Sequence, residues 1–229
     1  MKTITMTLCF IFLFASISLS DSPKRIKITS LEWPPYSGAD LELNGTAINK
    51  LARILMKYNT GLAVEFYPWE RAVIVSKSID YEGFFPAWPE EVPSGYIATK
   101  PIMMSSVSII AKNNIKFSSL ENLFSEKKVA LIKGYNYSDE ITELSKKYKH
   151  NIANPPTEQL ANRMLQLDRF DALITDFSVV SYYAEKEKTP LPIEVQKLYE
   201  KPIVFAVKIV DGQAPLVDII NNLIQEGQK

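Results

Sequence analysis

The chain of 229 residues carries 26 basic and 26 acidic residues, one cysteine and one histidine. Balanced charge with no basic stripe argues against a nucleic-acid partner, and one Cys with one His argues against a disulfide scaffold or an N/S zinc site. The length suffices for one large domain or two small ones.

Residues 1–20 have the layout of a secretory signal peptide: Lys2, an apolar run from Leu8 to Ala15, and a small-residue exit at Ser18-Leu19-Ser20. The run is too short to span a bilayer, and no later stretch approaches about 20 apolar residues. Cys9 opens this run, so lipoprotein attachment is not expected. Cleavage ahead of Asp21-Ser22-Pro23 would remove the only cysteine, leaving stability to core burial.

Strand and helix signals then alternate. Arg25 to Leu31 alternates polar and apolar residues before Pro34-Pro35. Thr46 to Tyr58 sets Ile48, Leu51, Ala52, Leu55 and Met56 on one helical face. Leu62–Tyr67 reads as a strand, Trp69–Ile79 as a helix, and Tyr81–Pro86 as a short strand running into a proline-rich, aromatic stretch, Glu82 to Pro93. An extended segment, Met103–Ala111, joins this block to the next without a Gly/Ser linker. The second block predicts a helix at Ser118–Phe124, a strand at Lys128–Lys133, and a helix at Ser138–Tyr148. A short strand at Asn151–Asn154, a helix at Thr157–Leu167, a strand at Asp171–Thr175 and a helix at Ser178–Lys186 follow. Val195–Ile209 reads as extended segments interrupted by Pro202, and Pro215–Gln225 as a closing amphipathic helix. Strands separated by helices in this way imply parallel α/β sheets in two blocks. Clefts between such blocks are favoured ligand sites.

Several segments, in this order and spacing, resemble the periplasmic solute-binding proteins of the amino-acid type (bacterial extracellular solute-binding protein family 3). They are Leu31 to Gly38, Asn44-Gly45, Pro68-Trp69-Glu70-Arg71-Ala72, Glu82 to Pro86, Gly134-Tyr135-Asn136-Tyr137, and Phe170 to Asp176. The resemblance implies an α/β, two-lobe, type II periplasmic-binding-protein-like fold with two crossing strands. Lobe 1 would comprise residues 21–108 and 205–229, and lobe 2 residues 109–204. It also implies a periplasmic monomer that traps a small-molecule solute, without a cofactor, for an inner-membrane ABC permease or a sensor.

A zwitterionic solute needs a cation and backbone N–H groups for its carboxylate, an acid for its ammonium, and apolar walls. Tyr36 stands where the family stacks an aromatic ring on solute. Gly134 to Ser138 joins a strand to a helix, where free N–H groups can meet an anion, although Ser138 is also a plain helix cap. Asp176 corresponds to the family's ammonium-binding acid and could equally cap the helix from Phe177. The family's carboxylate-clamping arginine is missing: residues 87–98 contain no Arg or Lys and offer Glu90 and Glu91 instead. Arg71 is the leading substitute cation, with Lys100 and Lys133 behind it. Phe85, Trp88, Tyr135 and Tyr137 complete the expected ligand-binding set, suited to an aromatic, sugar-like or cationic solute. Two other functions remain open: an enzyme of the same fold, dehydratase-like, drawing an acid or base from Glu82, Glu90, Glu91 or Asp176, and a degenerate lobe pair used for protein contacts.

Overall fold

The computed structural model describes residues 24–226; the expected signal peptide lies outside them. Strand β1 (Lys24–Ser30) leads through a loop and α1 (Thr46–Met56) to β2 (Thr60–Phe66), α2 (Trp69–Val75), β3 (Gly83–Ala87) and β4 (Tyr96–Ala98). β5 (Met103–Ala111) then enters the second lobe, which holds α3 (Leu120–Glu126), β6 (Val129–Leu131), α4 (Asp139–Lys147), β7 (Ile152–Ala153), α5 (Glu158–Gln166), β8 (Ala172–Thr175) and α6 (Phe177–Lys186). A long β9 (Ile193–Lys208) returns to the first lobe, where α7 (Pro215–Glu226) packs its Val217 and Ile220 into the core beside α1.

The sheet order β2-β1-β3-β9-β5-β8-β6-β7 makes the architecture plain. β1 pairs in parallel with β2 and β3, and β6 in parallel with β7 and β8. β9 is antiparallel to β3, β4 and β5. The sheets are therefore mixed, not purely parallel. β5 and β9 are the two crossing strands; pairing with β5 runs to Ile203, and pairing with β3 begins at Val204.

Pro202 does not interrupt β9. It sits in register with Met104, because a proline holds an extended φ and gives up only its own N–H. The helix expected to reach Ile79 instead stops at Val75, where the Ser76 hydroxyl turns back to the Val73 carbonyl. Ile79 is 95% exposed, so further helix would bury nothing.

Phe84 and Phe85 are both fully buried, on opposite faces of β3. Phe84 packs with Tyr96 and Trp69, Phe85 with Phe205. Both faces of this sheet are thus covered, and each ring contributes roughly 2–3 kcal/mol of burial. Gly83 lets the strands meet so closely: a Cβ there would lie 1.9 Å from the Ala206 carbonyl oxygen.

Candidate functional site

The cleft between the lobes begins at the turn after β1. Trp33 and Ser37 exchange backbone hydrogen bonds, and the Thr46 and Ala47 amides donate to the Pro35 and Tyr36 carbonyls at 2.9 Å. The first amides of α1 thereby fix the turn. Gly45 makes this possible: its φ is +100°, and a Cβ would fall 2.6 Å from the Tyr36 carbonyl oxygen. Tyr36 and Trp33, packed with ring centroids 4.4 Å apart, are then aimed at the second lobe.

Opposite them stands Asp176, at the end of β8. Its Oδ1 accepts the Ser178 and Val179 amides and so caps α6; its Oδ2 accepts the Tyr36 hydroxyl at 2.8 Å and the Ser106 amide at 3.0 Å. Helix cap and interlobe contact are one carboxylate. Burial pushes its pKa above the ordinary value although all these donors pull it down, and the Tyr36 phenol is driven well up, first by burial and then by Asp176. A second tie runs from the Trp33 indole N–H to the Tyr135 hydroxyl at 2.7 Å, while Tyr135 donates to Glu158. Glu158, at the start of α5, is 8% exposed, and desolvation raises its pKa also. Tyr137 sits behind Tyr135, giving its hydroxyl to the Ile174 carbonyl and accepting the Ile132 amide.

The third tie separates the inner cleft from an outer groove. Trp88 is 4% exposed, edge-on to both Trp33 and Tyr135, and its indole donates to Ser105. Against its ring, 3.8 Å from the centroid, lies the ammonium of Lys201 from β9. Lys201 pairs with Glu90 of the first lobe and donates to the Asn136 carbonyl of the second. Outside this layer lies a groove of about 440 Å³, walled by Trp69, Glu70, Val73 and Glu91 on one side and by Gly134 and Asn136 on the other. Glu91 accepts the Trp88 amide through Oε2 at 2.9 Å. Desolvation is the largest influence on this carboxyl and lifts its pKa to about 7; the Trp88 amide and Lys201 oppose the rise.

The expected residues thus fall into three groups. Tyr36, Trp88, Tyr135 and Asp176 meet in the inner cleft, with Tyr137 behind, and Gly134 borders the outer groove. Phe85 is fully buried against Phe205, in one cluster with Trp33, Tyr36 and Trp88, and so lies beneath the cleft aromatics as lobe-1 core. Arg71 lies outside the cluster: it is exposed, with its guanidinium 5.5 Å from the centroid of the Tyr67 ring. Lys100 and Lys133 are both exposed, the former beside α7, and neither lines the groove. The strand-to-helix turn offers an anion fewer amides than expected, since Tyr135 and Ser138 donate theirs to the Ile132 carbonyl and the Tyr199 hydroxyl. Lys201 and Glu158 were missed. A charged residue entering the buried run Ile203–Val207 was the one available sign of Lys201. Among the described residues no group of three or more His, Cys, Asp or Glu side chains could hold a metal ion, and no helix is long and apolar enough to cross a membrane.

At the level of sequence, no protein-family model and no curated protein matches the chain. Solved structures do. An ancestral arginine-binding protein bound to arginine superposes with a TM-score of 0.70 at 18% identity, over 91% of this chain and 94% of that one. A histidine kinase sensor domain with similarity to periplasmic binding proteins gives 0.69 at 18%, over 90% and 93%. The ancestral amino-acid-binding protein AncCDT-1, a precursor of cyclohexadienyl dehydratase, gives 0.63 at 22%, over 89% of each chain. Set beside the crossing strands and the interlobe cleft, these likenesses establish the fold: the chain has the two-lobe α/β architecture of the type II periplasmic binding proteins.

Proposed function

We propose that the protein is a periplasmic solute-binding protein that captures a small polar or aromatic solute between its lobes and presents it to an ABC-type importer or a sensory partner. The observation that carries this reading is the Tyr36–Asp176 bond, with its neighbours Trp33–Tyr135 and Lys201–Asn136. Each tie joins one lobe, or a crossing strand, to the other lobe through exchangeable hydrogen bonds. A polar solute can replace such bonds one for one, while opening also parts Val179, Tyr135 and Tyr183 from the lobe-1 aromatic cluster. Arginine, bound by one of the similar structures, is consistent with a solute of this size.

A thermal-shift panel tests the reading. A ligand held only by the native state at 100 times its Kd adds about 2.7 kcal/mol, which for a chain of this size raises Tm by roughly 5–10 °C. Such a shift confined to one class among amino acids, amines, sugars and organic acids is expected. A flat response across all four would sink the proposal and favour a lobe pair kept for protein contacts.

A second reading, an enzyme of the same fold, draws on Glu158. This buried carboxyl, with its raised pKa and its Tyr135 partner, is the kind of group that donates a proton, and one neighbour is described as a dehydratase precursor. Loss of a candidate substrate on incubation with the purified protein, abolished by Glu158→Gln, would establish it. An unchanged substrate bound at equilibrium would exclude it.

A further inference from the structure

We infer that the outer groove recognises a small organic cation, an ammonium or guanidinium group on a flat or aliphatic body, with Glu91 as its counter-charge and the Trp69 ring as its wall. This rests on the solute-binding reading and narrows it. The groove, about 440 Å³, lies within the range of small-molecule sites, roughly 300–1,000 Å³. Its lining contains two carboxylates, Glu70 and Glu91, and no basic side chain. The nearby cation, Lys201, is bonded to Glu90 and to the Asn136 carbonyl; it acts on Glu91 through space but makes no ion pair with it.

Both recognition groups are fixed in advance. Trp69, the first residue of α2, is braced edge-on against the fully buried Phe84, with centroids 5.6 Å apart. Glu91 is anchored by the Trp88 amide through one oxygen, and among the described residues the other accepts no hydrogen bond. The opposite wall is backbone at Gly134, where nothing lies within 4 Å of the position a Cβ would take. A flat body can slide between this wall and the indole, while the cationic end meets Glu91 and the ring's π face. An anion entering the same space would face two carboxylates, and the Tyr135 and Ser138 amides that could receive it are already engaged.

The test is isothermal titration of the purified protein at pH 8 and low salt. The probes are phenethylamine and agmatine, with benzoate and L-glutamate as anionic comparators. Saturable binding of at least one of the two cations is expected, weakened at least tenfold in Glu91→Gln and about threefold in Glu70→Gln, with circular dichroism confirming that both variants are folded. Equal affinity for the cations in wild type and Glu91→Gln would overturn the groove assignment while leaving solute binding intact. Binding of an anionic comparator but of neither cation would do the same. Failure of every probe here overturns the cation assignment, and only failure of the broader thermal-shift panel overturns solute binding itself.

Discussion

In the inner half of the cleft Asp176 accepts four hydrogen bonds from the protein, and Tyr135 gives one and receives one. In the outer half Glu91 accepts one, from a backbone amide, in a groove open on its far side. Both halves hold carboxylates raised in pKa chiefly by desolvation, yet their roles differ. Asp176 joins the lobes and Glu158 holds the Tyr135 that receives Trp33; the outer one is left with bonding capacity to spare. A satisfied buried acid is a structural tie, and an acid with a free oxygen beside an aromatic wall is a candidate for recognition.

If the inner half is a tie, breaking it should reduce stability most. Asp176→Ala removes the α6 cap, worth about 1 kcal/mol, and strands the Tyr36 hydroxyl and the Ser106 amide, at about 1–3 kcal/mol each. A loss of about 3–5 kcal/mol is expected in urea denaturation at pH 7, with an unchanged m value. Asp176→Asn keeps a capping oxygen and a polar partner for Tyr36, and should lose only about 1 kcal/mol. Equal losses for the two variants would mean that charge, not hydrogen bonding, holds the tie.

The outer half should show itself through pH. The Glu91 carboxyl is lifted from 4.5 to about 7, so the folded state binds its proton more tightly than the unfolded chain does. The stability it contributes is full below about pH 4.5 and is lost as pH rises through about 7, by up to about 3 kcal/mol. The charged groups around it are Lys201 from β9, Glu90 beside it and Glu70 from α2 on the same wall of the groove. Asp176 and Glu158 are raised too and act in the same direction, so the informative quantity is the difference between wild type and Glu91→Gln. That difference should be small at pH 5 and should favour the variant at pH 8 by about 1–2 kcal/mol. Parallel stability curves for the two proteins would show that Glu91 is an ordinary solvated acid.

This contrast explains which parts of the site could be read in the sequence. Tyr36 and Asp176 stand at strand ends, where a turn or a helix cap dictates direction locally, so both were legible. Phe84 and Phe85 were legible as a pair on opposite faces, but that Phe85 would be fully buried beneath Trp33, Tyr36 and Trp88 was not. That depends on the layer covering each face of the sheet, here Tyr96 and Trp69 on one side and Phe205 on the other. The neighbours Glu90 and Glu91 look equivalent in the chain. They diverge because the short turn Pro89–Glu91 points one toward Lys201 and folds the other back onto the Trp88 amide. Lys201 comes from a crossing strand far along the sequence, and only the antiparallel register of β9 brings it under Trp88. The continuity of β9 through Pro202 was hidden for the same reason, since pairing with Met104 is a tertiary fact.

Arg71 gives the smallest expected effect and the sharpest check on where the cleft's positive charge resides. Its guanidinium is exposed over Tyr67, and among the described residues it makes no salt bridge. An exposed cation–π contact of this kind contributes about 0.5–1 kcal/mol, so Arg71→Ala should lower stability by no more than that. Solute affinity should stay within about twofold of wild type, because Arg71 is not among the residues lining the groove. Lys201→Met, by contrast, removes the cation that binds Glu90 and holds Asn136, and leaves Glu90 free beside Glu91. Added negative charge at that point should tighten the binding of a cationic probe while loosening the contact between the lobes. If titration instead finds Arg71→Ala weakening a ligand tenfold and Lys201→Met without effect, the recognising charge lies at the head of α2 and not at Glu91.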